Sequence, residues 1–370
     1  MFGARGTGKT TLLKAIFPSE SVLYINLLDP DEEDRFARSP DELLQRMAAA
    51  SSAVEWVIID EIQRVPRLLD IVHDKTQSSR FRFVMTGSSS RKLKRGASNL
   101  LAGRAFVYNL FPLLMKELGD RFVLQEVLEW GTLPRIFQLE APDDKARFLR
   151  AYAHTYLKEE IVAEQVIRKL DPFRHFLEVA AQSNGKIVNF SKIADDVGVD
   201  TTTVINYFSI LEETLIGFLL QPYHRSIRKQ QRQNPKFYFF DLGIKRALDR
   251  TAGIALAEST YGYGEAFEHF VIAEITRLAT YLFPDWRCSY LTTRDGAEID
   301  LIIDRPGLPD ALVEIKSTTH VGERDVAALN RFSADFSAAE IYCVSRDHHE
   351  KQIGNVLCLP YTTAFARLGL

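Results

Sequence analysis

The chain has 370 residues, 46% hydrophobic and 26% charged, a balance that excludes disorder, collagen and disulfide miniproteins and, at roughly 150 residues per domain, points to two or three domains. With 46 Lys and Arg against 49 Asp and Glu, the formal charge of −3 excludes a global positive field, so contact with nucleic acid or anionic membrane would have to come from local patches. Three widely spaced cysteines, Cys288, Cys343 and Cys358, offer no thiolate metal site, and no apolar stretch approaches the roughly 18 to 20 residues of a membrane helix, so the expectation is a cytoplasmic protein with no membrane partner.

Up to about Pro112, apolar runs at Val22 to Leu27, Val57 to Ile59 and Phe83 to Met85 alternate with helix-like segments, the rhythm of a parallel α/β sheet. From Leu113 to about Leu170, charged and apolar residues at helical spacing, broken by Gly131 and Pro134, predict a helical lid and linker. Between Asp171 and Arg250 the order is helix, turn, helix, then strands at Ile216 to Leu220 and Phe237 to Phe240 around a basic loop, as in a winged helix. There Ser191 is the expected cap of a helix carrying Ile193, Ala194 and Val197. Gly198 turns the chain, and Val204, Tyr207, Phe208 and Leu211 repeat at helical spacing. Beyond Thr251 come a glycine-rich turn, an amphipathic helix from about Glu265 and further α/β alternation to Leu370. The expected domains are therefore 1–112, 113–170, 171–250 and 251–370.

Gly3 to Thr10 reads Gly-Ala-Arg-Gly-Thr-Gly-Lys-Thr, the spacing of a phosphate loop, and a helix-forming run from Thr11 to Phe17 follows. Glycines such as Gly3, Gly6 and Gly8 let backbone N–H groups turn inward as an anion nest. Lys9 then reaches the β and γ phosphates, and Thr10 offers a hydroxyl to magnesium. The run Val57-Ile58-Ile59-Asp60-Glu61 puts Asp60 at a strand's carboxyl end, where it can hold the magnesium shell, with Glu61 beside the attacking water. After the strand at Phe83 to Met85, Thr86 or Ser88 can orient that water. Only Met1 and Phe2 precede Gly3, where a central strand should feed the loop, so the natural frame is expected to continue upstream with an apolar strand.

On GARGTGKT, VIIDE, MTGSSS and Leu101-Ala102-Gly103-Arg104, the chain resembles the AAA+ class of P-loop ATPases, specifically prokaryotic proteins that join such a module to a C-terminal domain of unknown function. The resemblance implies ATP and Mg2+ as cofactors, with Gly3, Gly6, Gly8, Lys9, Thr10, Thr11, Asp60 and Thr86 around the nucleotide. It also implies Arg104 as a finger reaching into a neighbouring subunit, which requires a homo-oligomer.

The predicted second helix of the winged helix exposes Asp200, Thr202, Thr203, Asn206, Ser209, Glu212 and Glu213, with no base-reading arginine. Residues 221–250 hold Arg225, Arg228, Lys229, Arg232, Lys236, Lys245, Arg246 and Arg250 against Asp241 and Asp249, eight minus two, a local charge of +6 able to grip DNA phosphates without reading sequence. Arg91, Lys92, Lys94 and Arg95 form a second basic stretch.

Near the C-terminus, Glu298 to Ile303 and Ala311 to Lys316 read as two strands, with Glu314 and Lys316 on one face and Val313 and Ile315 on the other. Should Asp300 share the polar face, two carboxylates and a lysine converge, a set able to hold a divalent metal ion beside a scissile phosphate. The stripe Phe267, Phe270, Val271 and Ile275 on the preceding helix can present Glu268 as a further ligand. Asp300, Glu314 and Lys316, with Glu268, resemble the core motif of the PD-(D/E)xK nuclease superfamily, which implies a restriction-endonuclease-like α/β fold. The reading as a whole is a Mg-dependent ATPase joined to a nuclease-like, DNA-contacting domain; its rival is a non-hydrolysing nucleotide-gated switch with an inactive nuclease fold.

Overall fold

In the computed structural model, which describes residues 1–88, 105–157, 170–224, 233–293, 297–332, 336 and 338–370, the strands β1 (Val22–Asn26), β2 (Trp56–Asp60) and β3 (Arg82–Met85) form a parallel sheet in that order. Asn26 lies opposite Asp60 and Ile59 opposite Met85. Val57, Ile58 and Ile59 are all buried, as a parallel strand covered on both faces requires. The helices Pro30–Arg38, Glu42–Ala49 and Leu68–Ser78 cover the face that carries Val57 and Ile59, packing Phe36, Leu43, Met47, Leu69 and Val72 with them and with Ile25. Phe2 makes parallel bridges to Gly87 and to Asn109, so the first residues lie between the end of β3 and the segment around Tyr108. Its N–H donates to the Tyr108 carbonyl at 2.8 Å, and Leu110 N–H donates to the Phe2 carbonyl at 2.6 Å. Phe2 thus lies in line with the position of a strand that feeds the loop.

The remaining strands are β4 (Gly217–Pro222), β5 (Lys236–Phe239), β6 (Arg287–Thr292), β7 (Glu298–Asp304), β8 (Ala311–Lys316), β9 (Glu340–Ser345), β10 (Lys351–Ile353) and β11 (Val356–Pro360). They form one eight-stranded sheet in the order β10-β11-β9-β8-β7-β6-β4-β5. Alternation along β8 sorts its faces. Val313 and Ile315 pack with Phe267, Phe270, Val271 and Ile275 of the helix Tyr261–Leu282, while Leu312 packs on the other side with Ile299, Val321 and Leu329.

The described residues of 113–157 contribute to two cores. Leu114, Leu118, Val127 and Leu128 join the core under the helix Tyr261–Leu282. Trp130, Leu133, Leu149 and Tyr152 join the core built on Leu170–Gln182, Phe190–Val197 and Thr201–Glu213. Gly131 stands at the changeover with a φ of 75°; a Cβ there would lie 2.2 Å from Asp241 Oδ1. The Asp241 carboxylate is held in place by accepting the N–H of Ile244, which caps the helix Leu242–Leu248, and the N–H of Thr132 at 2.7 Å.

Two local expectations change. The cap of Phe190–Val197 is Asn189, whose Oδ1 accepts Lys192 N–H at 3.0 Å; Ser191 already sits in the first turn and donates its hydroxyl to Asn189. The β4–β5 hairpin runs Gly217–Pro222 and Lys236–Phe239, and it is not a free wing, because β4 also pairs in parallel with β6 through Gln221 with Ser289 and Pro222 with Tyr290. Val204, Tyr207, Phe208 and Leu211 are buried, as their spacing predicts. Among the described residues, no helix is long and apolar enough to cross a membrane.

Candidate functional site

Between Phe2 and the helix Lys9–Ile16 the chain turns through Gly6 and Gly8, whose φ values of 80° and 97° lie in the region where a side chain is strained. Lys9 is buried and folds back over the loop, donating from Nζ to the Gly3 carbonyl at 2.8 Å and standing 3.7 Å from Glu61 Oε1. Thr10 donates its hydroxyl to Asp60 Oδ2 at 2.7 Å across fifty positions. Thr11 points outward and is exposed.

Asp60, 1% exposed at the end of β2, is the hub of this end of the sheet. Besides Thr10, the Tyr24 hydroxyl donates to Oδ2 at 2.5 Å and the Thr86 hydroxyl donates to Oδ1. Burial, and then the Asp60 carboxylate, push the Tyr24 hydroxyl well above its usual pKa, so it stays a donor. Glu61 occupies the left-handed region at φ 61°, with its N–H donating to Thr86 Oγ1 at 3.0 Å. Its carboxylate accepts the Gln63 amide, which also donates to Ser88 Oγ at 3.2 Å. Thr86 therefore touches both acids directly, and Ser88 reaches Glu61 only through Gln63. Tyr24 and Gln63 carry no motif that marks them in the sequence.

The loop is backed by the helical region. The Tyr152 hydroxyl donates to the Arg5 carbonyl at 2.7 Å, and its ring lies 3.5 Å from where a Cβ on Gly6 would stand. Tyr152 begins a π-helical turn, Tyr152–Tyr156, a local widening common at functional positions. Arg104 and the basic residues Arg91, Lys92, Lys94 and Arg95 lie outside the described residues.

A second group of charges forms on the large sheet. Asp300 on β7 accepts Ile315 N–H at 2.7 Å, and Lys316 Nζ donates to Glu314 Oε1 at 2.6 Å. Glu268, from the helix Tyr261–Leu282, accepts the Tyr238 hydroxyl at 2.8 Å and lies 3.6 Å from Lys236 Nζ, which also ion-pairs closely with Glu298. Burial, with the Asp300 charge behind it, pushes Glu268 up to about 7 and Glu314 up to about 8, and burial raises Asp300 as well. Among the described residues, no group of three or more His, Cys, Asp or Glu is arranged to hold a metal ion. The acids expected to share one, Glu268, Asp300 and Glu314, instead turn to separate protein partners, because carboxylates this deep must each find a donor or a counter-charge.

The described basic residues of the stretch 221–250 each meet a partner within the protein. Lys236 points into the carboxylate group, and Arg246 is buried and donates to the Thr251 carbonyl at 2.9 Å. Lys245 pairs with Asp249 at 2.7 Å and Arg250 with Glu178 at 2.9 Å. Arg225, Arg228, Lys229 and Arg232 lie outside the described residues.

Three family models match successive parts of the chain: an AAA domain over residues 1–119, a domain of unknown function (DUF8612) over 121–255 and another (DUF4143) over 263–364. The N-terminal sheet and its loop therefore belong to an AAA-type, P-loop ATPase-like domain, and the C-terminal part of the large sheet to a DUF4143 domain. An uncharacterized protein of Mycobacterium tuberculosis is 29% identical over 326 residues, covering 86% of this chain and 69% of the relative. An uncharacterized protein of Methanocaldococcus jannaschii is 22% identical over 415 residues, covering 98% of this chain and 83% of the relative. The structure of Can2 from Sulfobacillus thermosulfidooxidans in complex with cyclic tetra-adenylate overlaps 94% of this chain and 98% of that one, but at 10% identity and a TM-score of 0.23 the likeness is too shallow to define a shared fold.

Proposed function

We propose that the chain binds magnesium nucleotide, ATP by resemblance, through Gly3, Gly6, Gly8, Lys9, Thr10 and Thr11, and hydrolyses it with Asp60 and Glu61. The observation that carries this reading is the Thr10 to Asp60 hydrogen bond beside the buried Lys9, which joins the loop to the acidic strand end. A hydroxyl and a carboxylate are a donor set suited to a hard cation, and magnesium held there would neutralise charge on the β and γ phosphates. Lys9 exchanges the Gly3 and Ala4 carbonyls for phosphate oxygens, and the loop N–H groups bind the same anion. Glu61 accepts the proton of the attacking water, its backbone fixed by Thr86. Arg104 would act on a neighbouring subunit's nucleotide.

The helix Tyr261–Leu282 with β6, β7 and β8 supports a restriction-endonuclease-like reading of the C-terminal domain, preceded by a winged helix whose hairpin has joined the sheet. Its acids, paired as they are, do not fit a metal, so we assign it docking and no cleavage step. DNA is the proposed partner, with phosphate contact falling to the stretches 91–95 and 225–232.

Phosphate release and nucleotide titration test the proposal. Lys9→Ala should lose both uptake and turnover, while Glu61→Gln should keep uptake and lose turnover by about 10²–10⁴, the worth of a positioned general base. Saturable uptake with no turnover in the wild type would favour the nucleotide-gated switch. No saturable uptake would overturn both.

A further inference from the structure

We propose that Lys236 is the resident cation of the C-terminal carboxylate group: its ammonium stands between Glu268 and Glu298, in the place a divalent metal ion would take, and keeps such an ion out. The proposal rests on the restriction-endonuclease-like reading only for where the metal would sit, and it does not depend on the nucleotide site.

Lys236 is 5% exposed, and its ammonium lies 5.4 Å from the centre of the Tyr290 ring. The backbone beneath it is fixed on both sides, by pairing with Leu220 in β4 and by an antiparallel bridge to Ile187. Two positions on, Tyr238 leaves the same face of β5 and donates to the Glu268 oxygen that Lys236 also approaches. Burial raises the Asp300 carboxyl, and the charges of Lys236 and Lys316 oppose that rise. Glu268 and Glu298 thus meet the ammonium of Lys236, and Glu314 that of Lys316, the two lysines being brought by different strands. A divalent ion entering this group would have to displace a buried ammonium from two carboxylates and leave it unpaired, an outcome buried charges resist. Lys236 comes from the hairpin that joined the sheet at its β6 edge, so the cation is supplied from outside the segment that carries the acids.

Mn2+ titration of the full chain without nucleotide, followed by the electron paramagnetic resonance of the free ion, tests the assignment. The wild type should show no saturable uptake that Glu268→Gln removes, and Lys236→Arg should behave alike. Lys236→Met should gain a saturable site, lost again in Lys236→Met/Glu268→Gln. Uptake by the wild type that Glu268→Gln abolishes overturns the proposal, as does a folded Lys236→Met with no uptake. Should Lys236→Met fail to fold, Lys236→Met/Glu298→Gln, which removes an acid with the cation, carries the same readings. Failure of the fold reading looks different: the site gained in Lys236→Met would then persist in Asp300→Asn and Glu314→Gln backgrounds.

Discussion

The Tyr152 hydroxyl and the Arg5 carbonyl share a 2.7 Å hydrogen bond across 147 positions, so the phosphate loop rests on the helical region that follows it. A loop that shifts to wrap an anion must lengthen or keep this bond. The bond is therefore a physical connection between the loop and the core that contains Tyr152. Tyr152→Phe keeps the ring contacts with Phe148 and Phe240 and deletes only the donor. Urea unfolding should show a loss of about 1 kcal/mol, the net worth of one hydrogen bond. Nucleotide affinity should change several-fold; an unchanged affinity would remove the connection.

Asp60 accepts three hydroxyls, from Thr10, Tyr24 and Thr86, and a magnesium ion must compete with them. Tyr24→Phe frees one lone pair without removing the ring. The Mg2+ concentration for half-maximal nucleotide uptake should fall several-fold in the variant. A rise would mean that Tyr24 orients Asp60 for the metal instead of competing with it.

Gly131→Ala should be among the most damaging single methyl additions in the chain. The new carbon would meet the Asp241 carboxylate, and the backbone at φ 75° is one that side chains resist. Overpacking and backbone strain together should cost about 2–4 kcal/mol, read as a lowered denaturation midpoint.

Glu274 supplies a pH dependence with a definite sign. Burial, opposed by the nearby Arg277, pushes its carboxyl up to about 7 from an ordinary 4.5. Between those values the folded chain holds a proton that the unfolded chain has released, so stability falls as pH rises through the window and is lowest above it. Glu274→Gln abolishes this dependence and can still accept the Met115 N–H. The variant should melt above the wild type at pH 8, with the gap closing toward pH 4.5. A gap constant over that range would show that Glu274 ionises normally.

The proposed nucleotide site was legible because its parts are local strings. Glycine spacing, a lysine and a threonine lie within eight residues, and the two acids end an apolar strand whose burial on both faces forces Asp60 to its tip. Tyr24 and Tyr152 were not legible, since each reaches the site as one hydroxyl on an otherwise ordinary strand or helix. In the C-terminal group, Asp300, Glu314 and Lys316 follow from strand alternation, and the stripe Phe267, Phe270, Val271 and Ile275 is the buried face that its spacing predicts. Lys236 and Glu298 were hidden because they meet only through the strand order β7-β6-β4-β5. The same order turned an apparent basic surface partly inward: a lysine counted toward phosphate contact proved to be a neutralising charge inside the sheet.

By pairing with both β5 and β6, β4 sews residues matched by one family model to a sheet largely matched by another. A fragment cut at the family boundary near Thr260 would leave β6 with a bare row of amides and carbonyls and would strip Lys236 and Tyr238 from their acids. Such a fragment is expected to self-associate through the raw edge, whereas a fragment that keeps both family segments keeps the eight-stranded sheet whole.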